Sequence, residues 1–331
     1  MTYNYAIVFS HEITVYKVGS GKILQEPSIV AVQKVGSKNK VLAFGEKAEA
    51  MENKNLQDVD VVRPFRDGVI VNREYAEYLM KAIVDELEIK NFINKNVIIL
   101  LSSSITAQEK NEYLSLMYSV KFNNVEVLPA VISALAQMEC LDSNAMHMVV
   151  NMEDVVDIAI VSGGHIVQAC TLDIGIDLLN QGIHDYLYTS YNTDISSKIC
   201  DEMRVRLQTL LPNDISEYKV VGNDVETSLN NTLTIESQEV RPLFLDFFNK
   251  ICSGIISILR VCNSEVVTDI KKYGIYLCGG LAGITGSEKY IKGRVDIPVY
   301  KALDPEDCVN EGIKILLNDP SLLSRLLQNN K

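Results

Sequence analysis

The strongest constraint on this fold is an internal repeat. A pattern of strand, turn, strand, glycine turn and strand opens the chain, and the same pattern begins again near Ala145. The two glycine turns align as Gly21-Lys22-Ile23 and Gly164-His165-Ile166, at an offset of 143 residues. Two copies of one unit, each with three strands followed by helices, predict two related α/β domains, 1–144 and 145–331.

Helix caps and a buried strand extend this pattern in the first half. Asn72 is placed to cap a helix whose apolar residues recur every four positions, and Thr106 with Glu109 forms a capping box for the next helix. Between them "NVIILLS", from Asn96 to Ser102, is a continuous apolar run. Such a run is typical of a strand covered on both faces, so helices are expected on either side of the sheet.

The composition fits a folded, soluble protein. Of its 331 residues 47% are hydrophobic, which is enough for a substantial core. The formal net charge of −12 opposes attraction to nucleic acid, because such attraction depends on clusters of Lys and Arg. The N-terminal sequence lacks the basic start and the long apolar stretch of a signal peptide. We therefore expect a cytoplasmic protein that does not bind nucleic acid.

Neither the cysteines nor the histidines have the spacing of a metal site. The seven cysteines form no CxxC pair, and the four histidines are isolated from one another in the sequence. We expect reduced thiols and no metal held by these residues.

Four further segments are specific in combination. "GKILQEPSIVAV" runs from Gly21 to Val32, "VVRPFRDGVI" from Val61 to Ile70, "YGIYLCGGLAGITG" from Tyr273 to Gly286, and "IPVYKALDPEDCVNEGIKIL" from Ile297 to Leu316. In their order and spacing, these segments resemble the bacterial actin homologues of the MreB cell-shape family. The resemblance covers nearly the whole chain.

The resemblance implies a duplicated actin-like α/β fold, of the type found in actin, hexokinase and chaperone ATPases. Each of the two domains would have a large and a small subdomain around a central cleft, with the small subdomains inserted at about 28–66 and 177–236. The resemblance also implies a cytoskeletal role in cell shape or envelope growth, with ATP and magnesium bound in the cleft.

The first phosphate loop of the family has lost its chemistry in this chain. Counting back from the E-P-S turn places the family motif D-L-G-T-x-N-T on Ile7 to Ile13. The aspartate that would orient magnesium-bound water becomes Ile7, and the glycine that brings backbone N–H groups close to phosphate becomes Phe9. We expect the hairpin to persist without binding phosphate, with side chains such as Phe9 and Met152 filling the cleft.

The second phosphate loop and the water-positioning residue are also altered. The family motif D-I-G-G-G-T-T-E falls on Asn151 to Asp157, where Glu153 and Asp154 replace glycines. At about 5 Å and an effective dielectric constant near 20, each like-charge pair with a phosphate costs roughly 3 kcal/mol. The family's water-positioning carboxylate precedes a proline, and the residue before Pro129 here is Leu128, which can neither orient water nor accept a proton. These changes predict that no cofactor binds, or at most a nucleoside or a nucleotide of low charge.

The adenosine side of the family's site is retained. Gly279, Gly280 and Gly283 follow a strand, and Glu202 matches the family's ribose-contacting acid. Two interpretations stay open, since these glycines can equally make a tight strand-to-helix turn and Glu202 can be a solvated helix carboxylate. A dinucleotide fingerprint is excluded, because Leu281 stands where GxGxxG needs a glycine.

These observations favour a degenerate actin-type ATPase that acts by filament assembly or partner binding, with lost or much reduced ATP turnover. The alternative is an active polymerising ATPase of the MreB family with divergent phosphate loops. A metabolite kinase on the same fold would need the phosphate loops and a base, which are the parts that are missing. We expect the partners to be copies of this chain or other MreB-family subunits.

A polar loop, "KNFINKN", suggests a peripheral membrane contact. It places Phe92 and Ile93 between a helix and a strand, and the family inserts a short apolar loop or an N-terminal helix into lipid. These two side chains can equally cover the core. If they contact lipid, the protein is located at the inner face of the cell membrane.

Overall fold

The computed structural model describes residues 3–330 apart from 37, 53, 55, 90–94, 142 and 143. In chain order, the elements of the first half are β1 (Tyr5–Phe9), β2 (Glu12–Lys17), β3 (Gly21–Pro27), β4 (Val30–Val35), β5 (Lys38–Phe44), α1 (Glu46–Glu49), β6 (Val59–Val62), β7 (Phe65–Arg66), β8 (Val69–Ile70), α2 (Arg73–Glu86), β9 (Asn96–Leu101), α3 (Ala107–Ser119), β10 (Asn124–Pro129) and α4 (Ala130–Gln137).

The second half continues in the same alternating manner. Its elements are β11 (His147–Met152), β12 (Val156–Ser162), β13 (His165–Leu172), α5 (Ile176–Tyr191), β14 (Thr193–Asp194), α6 (Ser197–Leu207), β15 (Glu217–Asp224), β16 (Asn230–Glu236), α7 (Ser237–Val261), α8 (Ser264–Tyr273), β17 (Ile275–Cys278), a 3₁₀ turn (Gly280–Gly283), α9 (Ser287–Val295), β18 (Val299–Lys301), α10 (Cys308–Asn318) and α11 (Pro320–Asn329).

The two halves are built on five-stranded sheets of identical topology. The strand order is β3-β2-β1-β9-β10 in the first sheet and β13-β12-β11-β17-β18 in the second. In each sheet the first three strands of the unit pair antiparallel, and the two later strands join parallel to the first. The duplication predicted from the glycine turns is therefore confirmed as a duplication of topology.

Local signals in the sequence form the elements that they predict. The Asn72 Oδ1 accepts a hydrogen bond from the Tyr75 N–H at 3.3 Å and begins α2. Thr106 and Glu109 form a reciprocal capping box at the start of α3. All six residues of β9 are buried, because the strand is covered on both faces.

Among the described residues, alternation along the strands divides the interior into three large cores, and a small fourth core lies in the sheet β5-β4-β6 with α1. In β1, Ile7 packs on α2 and α3, while Ala6 lies in a core shared by the two sheets. A separate core forms between the second sheet and α5, α7, α8 and α9. The shared core contains residues of α4, α10 and α11, so these helices lie between the two sheets and join the halves.

Small sheets are inserted in both halves. The sheet β5-β4-β6 and α1 lie between β3 and α2, and the sheet β14-β15-β16 lies between α5 and α7. The domain limits, 1–144 and 145–331, stay a prediction. Helix α10, near the C-terminus, packs closely on α4 of the first half, where a Cβ at Gly312 would overlap the Ser133 carbonyl.

Helix α7 is the one helix in the described part of the chain that is long and apolar enough to cross a membrane. Its residues Phe244, Phe247, Phe248 and Ile251 are buried in the core of the second half. The same composition is required of a long core helix, and we interpret α7 as one.

Candidate functional site

The turns of two equivalent hairpins face each other across a cleft between the domains. The turn between β1 and β2 comes from the first half, and the turn between β11 and β12 comes from the second. They enclose a cavity of about 240 Å³, to which α6, the 3₁₀ turn and the start of α10 also contribute. Residues of the shared core, among them Val8, Leu100 and Val309, line its floor. The site therefore lies between the two copies of the repeat.

The first turn presents an apolar ring where the family has a phosphate-binding glycine. Phe9 lines the cleft, and its ring lies 5.2 Å from the ring of Phe65 and 5.1 Å from that of Tyr113. Ile7 is buried on the face of β1 that points to α2 and α3, so its side chain does not reach the cleft. This turn therefore supplies packing to the first domain.

The expectation that Met152 fills the cleft is wrong. Its side chain is fully buried in the core of the second half, on the same face of β11 as Met148 and Val150. Phe9 lies at the edge of the cleft, but it is held against Phe65 and Tyr113 and leaves the cavity open. Any loss of nucleotide binding must therefore come from the chemistry of the cleft lining.

The second turn provides an internal hydrogen-bond acceptor. The Glu153 Oε1 accepts a hydrogen bond of 2.9 Å from the Gly280 N–H, at the start of the 3₁₀ turn. Backbone N–H groups at such a position are ready-made donors for an anionic ligand. Here the donor already has an acceptor, and that acceptor belongs to the chain itself.

Burial changes the charge of this turn. Desolvation, and then the neighbouring charge of Asp154, raise the pKa of Glu153 to about 8. Desolvation also raises the pKa of Asp154 to about 6, against the opposing influence of His11. At pH 7 Glu153 is mostly protonated, so the repulsion of a phosphate comes chiefly from Asp154. The predicted repulsion from two full charges is therefore too large.

Asp157 joins the two domains and is not free to act on a ligand. It is 1% exposed, and one carboxylate oxygen accepts hydrogen bonds from the Ser103 N–H at 2.7 Å and the Ser103 hydroxyl at 2.8 Å. The Thr171 hydroxyl donates to its other oxygen at 3.3 Å. Desolvation raises the pKa of Asp157 to about 6, and the Ser103 hydrogen bonds oppose that rise. Asp157 therefore connects β12 to Ser103 in the segment that follows β9.

Leu128, at the position where the family has its water-positioning carboxylate, is a core residue. Leu128 is fully buried at the end of β10, in the core shared by the two sheets. Its side chain packs among apolar residues of the floor and offers no polar atom. Leu128 is therefore a core residue, and the loss of the water-positioning group stays a prediction.

The three glycines of the adenosine segment differ from one another. At Gly279 φ is +86°, and a Cβ would lie 2.6 Å from the Met152 nitrogen and closer still to the Met152 carbonyl. Backbone packing alone therefore requires glycine at Gly279. Gly280 binds Glu153, whereas a Cβ at Gly283 would meet no atom within 4 Å.

Glu202 does not line the cleft cavity. It lies on an adjacent face of α6, where the Tyr218 hydroxyl donates to its carboxylate at 2.6 Å. The residues of α6 that line the cleft are Arg204 and Val205, and Gln208, directly after the helix, lines it as well. Glu202 instead borders an open surface depression that adjoins the cleft at Val205. The structure thus places Glu202 and Gly280 around neighbouring cavities.

Two features of the site were missed by sequence reasoning. The bond between Glu153 and Gly280 joins residues far apart in the chain, and no local pattern announces it. The contribution of Arg204 was missed as well, although its spacing from Asp201 and Gln208 indicates a common helix face. Phe92 and Ile93, the predicted membrane contact, lie outside the described residues.

Several residues of the cleft lining differ from those that the resemblance implies for magnesium and a triphosphate. Within the described ranges, no group of three His, Cys, Asp or Glu side chains is arranged to hold a metal ion. The Gly280 donor has a carboxylate acceptor, and Phe9 replaces the glycine of the other turn. A triphosphate would need both sets of N–H donors and a metal to offset its charge.

A model of the MreB/Mbl protein family matches residues 10–325 of this chain. The chain is 27% identical to the cell shape-determining protein Mbl of Bacillus subtilis (strain 168) over 318 residues, which cover 95% of each protein. It is 24% identical to the cell shape-determining protein MreB of Escherichia coli (strain K12), over 90% of this chain and 88% of that protein.

Solved structures agree with these relatives. The crystal structure of MreB5 of Spiroplasma citri bound to AMPPNP superimposes with a TM-score of 0.87 at 25% identity, covering 97% of this chain and 98% of that one. The MamK double helical filament superimposes with a TM-score of 0.77 at 15% identity, over 95% and 98%. The predicted duplicated actin-like fold is thus confirmed, and the chain belongs to the MreB/Mbl family of cell shape-determining proteins.

Proposed function

We propose that this protein is an MreB-type cytoskeletal subunit whose assembly does not depend on ATP turnover. Membership of the family supports a role in cell shape and filament formation. The observation that carries the finer proposal is the hydrogen bond from the Gly280 N–H to Glu153. The Glu153 carboxyl group occupies the N–H donor that an anionic ligand would need, so the cleft has an acceptor of its own at this position.

The partner in assembly is a second copy of this chain or another MreB-family subunit. Actin-type filaments grow through head-to-tail contacts that do not close into rings. The MamK match is a double helical filament, which supports self-association for the fold. Under this proposal the polymer forms equally with and without nucleotide.

Sedimentation at high speed, followed by electron microscopy, tests this proposal. The protein is raised in concentration with magnesium and ATP, with magnesium and ADP, and with magnesium alone. We expect the same critical concentration in all three conditions. Assembly that requires ATP would favour the alternative, a polymerising ATPase with divergent loops, for which the relative bound to AMPPNP is the supporting precedent.

The retained glycines leave room for a nucleoside. Adenosine carries no charge, so Asp154 does not repel it, and Glu202 would contact the ribose from its adjoining depression. We propose at most a weak adenosine site at Gly279, Gly280, Gly283 and Glu202. Calorimetric titration with adenosine and then AMP checks this, and equal affinity for a Glu202→Ala variant would remove Glu202 from the site.

A peripheral membrane contact through Phe92 and Ile93 is the proposal that would place the protein at the inner face of the cell membrane. The double variant Phe92→Ser with Ile93→Ser should reduce flotation with anionic liposomes. A matched control, Val225→Ser with Leu229→Ser, changes two apolar residues exposed elsewhere and should float as the wild type does. Unchanged flotation of the first variant would exclude this loop as the anchor.

A further inference from the structure

Besides an ion pair of 3.8 Å between the Arg66 Nε and the Asp177 Oδ2, polar side chains of one domain contact the other domain at three places around the cleft. Beside β9, Ser103 donates two hydrogen bonds to Asp157. At the first of the facing turns, the His11 Nε2 lies 3.7 Å from the Asp201 Oδ2. The cleft is thus crossed by the chain's own groups beside β9 and at the facing turns.

The third contact joins the two inserted segments. The Ser197 hydroxyl, at the start of α6, donates to the Glu52 Oε2 at 2.7 Å. Glu52 follows α1, so this bond connects the small subdomain of the first half to α6 of the second. A hydrogen bond to a charged carboxylate is stronger than one between neutral groups.

The Glu52 carboxylate is held in place from its own side. The Arg63 guanidinium donates to the Glu49 Oε1 at 2.8 Å and to the Glu52 Oε2 at 3.3 Å. Arg63 is only 20% exposed, so this ion pair is shielded from solvent. Because the acceptor is already ordered, Ser197 binds it with little loss of side-chain entropy.

Asp201 is ordered in a similar way within the second domain. The Asn180 side-chain amide donates to its Oδ1 at 2.8 Å, and the Arg204 guanidinium donates to the same oxygen at 3.2 Å. Its Oδ2 faces His11 across the cleft. Ser196 caps α6, which fixes the start of the helix that carries both Ser197 and Asp201.

We propose that the contacts Glu52–Ser197 and His11–Asp201 form a latch that keeps the two domains closed without a nucleotide. The latch rests on the proposed function, since it takes over the joining of domains that a ligand in the cleft would provide. Each contact begins from side chains that are already ordered, so together they favour one relative position of the domains. A subunit closed in this way presents one constant surface to the next copy.

The test compares two matched double variants of the full-length chain. Ser197→Ala with His11→Ala removes the second-domain donor and the imidazole of the latch. Ser253→Ala with His165→Ala makes the same chemical changes away from the cleft, where Ser253 bonds within α7 and His165 contacts Asn329. Small-angle X-ray scattering measures opening, and hydrogen exchange measures amide protection at 8–13 and 151–156.

We expect the latch variant to have a larger radius of gyration than the wild type and about tenfold faster exchange in both turns. The control variant should match the wild type in both measurements, and Ser197→Thr, which keeps the hydroxyl, should remain closed. A latch variant that folds and stays as compact and protected as the control overturns the latch.

Addition of magnesium and ATP separates the latch from the proposed function. The wild-type profile should not change with nucleotide. Compaction of the wild type by magnesium and ATP contradicts the proposed function, whatever the variants show. The latch alone is tested without nucleotide, by comparing the opening of the latch variant with that of the control variant.

Discussion

The two facing turns of the cleft share one backbone arrangement and have opposite chemistry. The turn of the first half ends β1 with Phe9, which joins an aromatic cluster with Phe65 and Tyr113. The turn of the second half carries Glu153 and Asp154, and Glu153 binds the Gly280 N–H. Both stand where the family binds phosphate. One turn packs an aromatic side chain into the first domain, and the other supplies a carboxyl group that accepts the Gly280 N–H.

The comparison indicates that packing fixes the strands of a duplicated fold more strongly than the tips of its hairpins. The strands of both hairpins keep their pairing because their side chains serve cores on both faces of each sheet. The tips have few such neighbours, so their residues can change without loss of the fold. The same hairpin therefore persists in both halves, although different residues stand at its tip in each half.

The largest expected effect separates two glycines in the loop that faces the second turn. Gly279→Ala should lower the free energy of unfolding by about 4 kcal/mol, because φ is positive and a Cβ would meet the Met152 backbone. Gly283→Ala, four residues on in the same loop, should change it by less than about 1 kcal/mol. Urea unfolding measures both, and equal costs would mean that backbone packing does not explain Gly279.

The next effect tests the apolar character of the first turn. Phe9→Ala should destabilise the protein by about 3 kcal/mol, because it removes two ring contacts from the cluster. Phe9→Leu should cost about 1 kcal/mol, since most of the apolar volume stays. If Phe9→Ala unfolds at the same urea concentration as the wild type, the first turn is not part of the core.

A pH-dependent effect tests the acidic character of the second turn. The folded pKa of Glu153, about 8, lies above its ordinary value of 4.5. The protonated Glu153 side chain therefore contributes fully to the free energy of unfolding below about pH 4.5, and this contribution is lost as the pH rises through 8. Glu153→Gln should match the wild type at pH 5 and exceed it by about 2 kcal/mol at pH 8.5, with the Gly280 hydrogen bond kept.

The control for this comparison is Glu217→Gln, which changes an exposed carboxylate on β15. Its difference from the wild type should be the same at pH 5 and pH 8.5. If Glu153→Gln raises the free energy of unfolding equally at both pH values, burial of the Glu153 charge is not the cause of the stabilisation.

The smallest effect concerns the polar residue that remains in the first turn. The Ser10 hydroxyl donates to the Glu12 carbonyl at 3.1 Å and stabilises the turn locally. Ser10→Ala should cost no more than about 0.5 kcal/mol and should leave assembly unchanged. A loss of polymer in sedimentation would reveal a role for this turn outside its own domain.

Much of the scaffold could be predicted from the sequence, because its signals are local. The run that forms β9, the Asn72 cap and the Thr106 capping box act within a few residues and appear as predicted. The duplication was visible because each copy keeps its glycine turn. Strand alternation could also have placed Met152, since Met148, Val150 and Met152 lie on one face of β11.

The chemistry of the cleft was harder to predict, because it depends on contacts between distant segments. The hydrogen bond between Glu153 and Gly280 forms only when β11 and β17 pair in parallel. The raised pKa of Glu153 follows from burial at that junction, which no spacing in the sequence reveals. For Glu202, helix spacing relative to Arg204 could have indicated that its side chain turns away from the cleft.

We propose that the cleft neither binds nor hydrolyses ATP with magnesium at physiological concentrations. Isothermal calorimetry of the wild type with magnesium and ATP, together with a phosphate-release assay, measures this directly, with Glu202→Ala as the control. We expect no saturable heat of binding up to millimolar ATP and no phosphate release above the control. Micromolar binding with phosphate release above the control would contradict it and would establish an active ATPase with divergent loops.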